Sequence, residues 1–117
     1  MTLIHDQKNN VVGYLLDQLI ISVEDNKLMG IILGHCVYNE HATLIGIHFK
    51  EKIMDTTGET IAVLKSMRSN ADKLSSVRHR LMAEGWAIIE KIKEHVCSRV
   101  EEKSVWSKRN FADVLAS

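Results

Sequence analysis

Six histidines and two cysteines are the side chains of this 117-residue chain whose types could hold a metal or move a proton. Spacing argues against the metal. His35, His41 and His48 fall on what reads as one hairpin; with His35 opposite Leu44, His48 lies four residues further on, about 13 Å away at strand rise. A shared zinc needs nitrogens at roughly 2.0–2.1 Å. Cys36 alternates to the other side of the strand from His35, and His79 and His95, on one helix, would be more than about 20 Å apart. No HExxH pattern is present, so neither a metal nor a cofactor is expected. Cys36 and Cys97 are not in a CxxC pair and read as free, buried thiols.

Nucleophilic catalysis finds no better footing. No Ser or Cys can be set beside a His and an acid in triad order, and Cys97 lies two residues from His95, a spacing that points side chains apart on a helix. No catalytic residue is therefore nominated. A small-molecule pocket remains the second reading, with Met29, Ile31, Leu33, His35, Leu44 and His48 on one apolar sheet face. The third is a nucleic-acid contact through the basic segment 65–80, where Arg68, Lys73, Arg78 and Arg80 are opposed only by Asp72. Against it stand a formal charge of zero and the lack of an aromatic stacking platform.

The elements that would position these residues follow from periodicity. Asn10–Glu24 places Val12, Leu15, Leu16, Leu19, Ile20 and Val23 in a helical series, which predicts an amphipathic helix; a pair of strands is the rival reading. Three strands are expected over 28–38, 42–54 and 60–67, with turns at Asn39-Glu40 and Asp55–Gly58. Pairing about those turns gives a core face with Ile32, Cys36 and Ile47 and an outer face with the six pocket candidates. Asn70–Lys103 reads as one long helix, in which Leu74, Val77, Leu81, Ile88, Ile92 and Val96 form one stripe and Met82, Trp86, Ile89 and Cys97 a second. Gly85 and the Ser75-Ser76 pair are the points at which it could bend, and Ser104 can cap a short last helix.

The fold class expected is thus α+β in a single domain, residues 1–117: N-terminal helix, three-stranded antiparallel meander, long C-terminal helix and short helix. No repeat is expected. With 45% hydrophobic and 26% charged residues, disorder is excluded as the main state, and no apolar run is long enough for a membrane helix. The N-terminus lacks the pattern of a signal peptide, which makes the expected location cytoplasmic. Residues 1–64 carry four Lys against eight acids, and 65–117 eleven Lys or Arg against seven, so two copies could attract one another. The second stripe of the long helix and the outer sheet face both need covering. The expected role is that of a non-enzymatic accessory protein acting as a homodimer, with or without a further protein partner.

Overall fold

The computed structural model describes residues 2–66, 77–93, 97 and 100–116. Eight strands form a closed antiparallel barrel in chain order: β1 Thr2–His5, β2 Val11–Leu16, β3 Leu19–Ser22, β4 Leu28–Leu33, β5 Cys36–Asn39, β6 Leu44–Phe49, β7 Lys52–Asp55 and β8 Thr60–Ser66. Strand β8 returns to pair with β1, Ile4 lying opposite Leu64. Two helices follow, α1 Arg78–Lys91 and α2 Phe111–Ala116.

The barrel is a fourfold repeat of one hairpin. Ile4, Ile20, Val37 and Ile53, on alternate strands, are fully buried and recur at intervals of 16 or 17 residues. Opposite them stand Gly13, Gly30, Gly46 and Ala62. Just before each of these small residues the even-numbered strand carries one extra residue, Val12, Met29, Ile45 or Ile61, which the register skips. Such a bulge turns two successive residues toward one side and bends the strand, and this is how a sheet curves into a barrel. All four extra residues lie with the interior cluster. At Gly30 and Gly46 a Cβ would come within 2.3 and 2.2 Å of the carbonyl oxygens of Tyr38 and Met54, so backbone approaches there too closely for a side chain.

The turns repeat as well. Asp6, Ser22, Asn39 and Asp55 each accept a bond from the amide two residues on, and Asp6, Asn39 and Asp55 a second from the amide four residues on, at 2.8–3.3 Å. At the other end two-residue connections begin with Asp17, Gly34 and Lys50, all at positive φ. Phe111, Val114 and Leu115 of α2 join the interior cluster and plug the end at which the side-chain-capped turns lie. Outside, Leu19, Ile21, Leu28, Ile31, Tyr38, Ile47 and Met54 form a second apolar layer, covered by Leu81, Ile88 and Ile92 at α1.

Several expectations fall. The fold is all-β in its main body, not α+β with a three-stranded meander. The N-terminal helix over Asn10–Glu24 is β2 and β3, the strands named as its rival, and the expected strands 28–38 and 42–54 are each two strands folded at Gly34-His35 and Lys50-Glu51. Residues 67–76, 94–96 and 98–99 of the expected long helix lie outside the described residues. Of the rest, α1 ends at Lys91 where Ile92 turns to extended backbone, and 100–103 are not helical. Gly85, one of the two points at which the sequence allows a bend, lies within α1. Ser104 does not cap α2; Asn110 does, its Oδ1 accepting the Asp113 amide at 2.8 Å. Cys36 and Cys97 are not free thiols but a disulfide.

Asp55 makes the repeated turn testable by pH. Burial alone would raise its carboxyl, but bonds from the Thr57 hydroxyl and from the Glu59, Thr57 and Gly58 amides outweigh burial and hold it below the ordinary 3.8. A depressed carboxyl stabilises the fold above its ordinary value and loses that contribution as pH falls through the folded value. Asp55→Asn, which copies Asn39, should keep the turn and remove this group's part of the acid decline, whereas Asp55→Ala should lose about 1 kcal/mol at neutral pH. Urea unfolding followed across the acid range checks both.

Candidate interaction site

Leu81, Gly85, Ile88 and Ile92 step by four, three and four residues, and this stripe seats α1 on β4 and β3. Gly85 sets the distance: a Cβ there would stand 2.7 Å from Leu19 Cδ2, so the helix lies closer to the wall than a larger residue would allow. Met82, Trp86 and Ile89 occupy the neighbouring stripe. Met82 and Ile89 are half-buried, while Trp86 is 61% exposed. Between this stripe and the Leu19, Ile31 and Leu33 side chains of the wall runs an apolar recess of about 360 Å³. Asp17, paired with Arg78 at 2.8 Å, and Gln18 also line it.

The recess joins residues that the sequence places on separate surfaces. Ile31 and Leu33 come from the six sheet-face candidates, and Met82, Trp86 and Ile89 from the helix candidates; the structure makes them floor and wall of one feature. The remaining candidates disperse. Met29 is a bulge residue packed with the barrel interior, and Leu44 is exposed at the start of β6. His48 takes the place that Leu15, Ile32 and Leu64 hold in the other repeats, on the inward row of β6. His35 turns instead toward the end of the α1 segment, its Nε2 3.0 Å from the Cys97 carbonyl oxygen. Its backbone still meets His48, whose amide donates to the His35 carbonyl at 2.8 Å.

Cys97 is buried under the α1 layer and tied to Cys36 at the start of β5. Of the basic candidates, Arg68 and Lys73 lie outside the described residues. Arg78 is engaged by Asp17, and Arg80 by Glu84 at 3.8 Å and the Asn26 carbonyl at 3.5 Å. A larger, more polar recess lies by Lys50, Lys52 and Trp106, where the Lys52 ammonium, bonded to Glu102, holds that carboxyl below its usual range. Lys52 is thus committed to a neighbour, and the Lys50 ammonium lies over the Phe49 ring.

What the α1 recess offers chemically is apolar contact. Asp17 and Gln18 are the polar side chains of its lining beside the Trp86 indole, and Asp17 is engaged by Arg78. An apolar floor with one projecting indole is the composition of an interaction hot spot. No family model, curated protein or solved structure matches the chain.

The disulfide holds the segment after α1 against β5 across 61 residues of sequence. Breaking it should lower stability by about 2–4 kcal/mol by releasing a long loop, while the strand hydrogen bonds, closed from β1 to β8 without it, persist. Urea midpoints and far-ultraviolet circular dichroism of oxidised and reduced protein test this; loss of the sheet signal on reduction would contradict it.

Proposed function

We propose that the chain is a non-enzymatic interaction protein that works as a two-fold homodimer joined through the α1 recess. The observation that carries the reading is Trp86, a projecting indole directly beside an apolar recess. A knob next to a hole on one surface is self-complementary under a two-fold axis, because each copy offers both. Charge does not oppose the approach, since the formal net charge is zero. Covering the exposed part of one indole is worth roughly 3 kcal/mol per chain at about 25 cal/mol per Å². Met82 and Ile89, each half-buried, supply the surrounding contact that association needs beyond this.

The other readings draw less support. A small-molecule pocket built on His35 and His48 would need both side chains on one surface, yet one turns to the Cys97 carbonyl and the other lies on the barrel's inward row. A nucleic-acid contact would rest on Arg78 and Arg80, which neighbouring acids engage. No described helix is long and apolar enough to cross a membrane. The strands, four to seven residues long, are shorter than the about 9–11 residues of a membrane-spanning strand, which favours a protein that stays out of the bilayer. A cytoplasmic address belongs to this proposal for the form with reduced cysteines; the disulfide form suits an oxidising compartment.

Light scattering at micromolar concentration should give twice the 13.3 kDa chain mass for the native protein and the single mass for Trp86→Ala, whose barrel circular dichroism is unchanged. A native protein that stays monomeric up to millimolar concentration would overturn the proposal.

A further inference from the structure

On the far side of the wall from the barrel interior, three side chains with metal-ligand chemistry converge. His35 lies in the connection before β5, Cys36 opens β5, and Cys97 arrives from beyond α1. An imidazole nitrogen and the two Sγ atoms all lie within 4.8 Å of one another. Both cysteines are buried and His35 is half-buried. His35 Nε2 faces the Cys97 carbonyl oxygen at 3.0 Å. A carbonyl oxygen only accepts, so Nε2 carries the hydrogen and Nδ1 keeps its lone pair. A metal-ligating histidine commonly has its second nitrogen held by a backbone carbonyl in this way, which leaves Nδ1 as the atom able to ligate.

We propose that the reduced chain binds one zinc-class ion through Cys36 Sγ, Cys97 Sγ and His35 Nδ1, so that disulfide and metal are alternative states of the same pair of sulfurs. A dithiol passes two electrons and two protons to the Cys36–Cys97 bond, which breaks to give two thiols, while the dithiol closes to its own disulfide. The ion then takes both sulfurs as thiolates, and two protons leave to solvent. Zinc bonds of about 2.3 Å to sulfur and 2.0–2.1 Å to nitrogen, in tetrahedral geometry, set the three donors roughly 3.5–3.8 Å apart. Once the sulfur–sulfur bond is open, two sulfurs and an imidazole nitrogen that already lie within 4.8 Å need side-chain rotation, the His35 ring bringing Nδ1 to the sulfurs, to reach that spacing. Two thiolates and an imidazole select a soft or borderline ion over magnesium or calcium. The fourth position is left for water or an external donor.

The expectation of free thiols, drawn from spacing along the sequence, misses the convergence of Cys36 and Cys97 because they are 61 residues apart. In a reducing compartment the metal would replace the disulfide as the tie between β5 and the segment after α1. The three donors border the Trp86 recess, since Cys36 pairs with its lining residue Leu33, but share no residue with it, so cobalt binding and oligomeric state are read independently.

The test uses the full chain, reduced with dithiothreitol, desalted without oxygen and titrated with cobalt(II) as a spectroscopic probe, then with zinc. Reduced protein should show thiolate-to-cobalt charge-transfer absorption saturating at one ion per chain, displaced by zinc, and zinc should protect both thiols from alkylation. The oxidised protein should bind neither ion, and His35→Ala should weaken cobalt binding by at least about tenfold. Reduced protein that takes up no more cobalt than the Cys36→Ser/Cys97→Ser variant, or whose thiols alkylate equally fast with and without zinc, would overturn the site. Unchanged affinity in His35→Ala would overturn the three-ligand assignment.

Discussion

Closing a sheet of eight short strands demands curvature at every second strand, and the chain supplies it by the same means four times. An extra residue at Val12, Met29, Ile45 or Ile61 precedes a glycine or alanine, and that small residue stands opposite Ile4, Ile20, Val37 or Ile53. The bulge bends the strand, the small residue lets the neighbouring backbone approach, and the large β-branched residue fills the space enclosed. Among the described residues the interior is filled by these side chains. On the outer wall α1 covers β3 and β4 incompletely, which leaves the recess that the proposed homodimer would use.

The same closure explains why so much of the fold is illegible in the sequence. Strand β3 is buried on both sides, by the interior through Ile20 and by the α1 layer through Leu19 and Ile21, so the alternation that marks a half-buried strand is absent. Each bulge then shifts the period by one residue. Val12 to Val23 thereby acquires a spacing that imitates a helix although β-branched residues and Gly13 favour strands. The two-residue connections at Asp17-Gln18, Gly34-His35 and Lys50-Glu51 carry little turn composition beyond Gly34, whereas the longer turns at Asn39 and Asp55 are readable from their side-chain acceptors. A repeat of 16 or 17 residues was detectable in principle from the isoleucine and glycine columns, but only a few positions in each unit recur.

In the candidate site, the second stripe of Met82, Trp86 and Ile89 is legible because α1 is a regular helix over those residues. That Ile31 and Leu33 lie beneath it is not legible, since it depends on α1 crossing β4, an arrangement between segments about 50 residues apart. The disulfide is hidden for the same reason. Cys36 and Cys97 are distant in sequence, and only the packing of the segment after α1 against β5 brings them together. The consequence is a protein whose two points of chemistry, an indole beside a recess and a sulfur pair beside an imidazole, are both assembled by the seating of α1 and the chain that follows it.

The most direct measurement of the account is the fluorescence of Trp86 itself, observed alone in a Trp106→Phe protein as the sample is diluted. If the α1 recess is where two copies meet, the emission starts at the short wavelengths of a covered indole and moves to the red as dilution separates the copies. Emission that is red at every concentration, from millimolar down, would contradict the account, because Trp86 would then face water whether or not another copy is present.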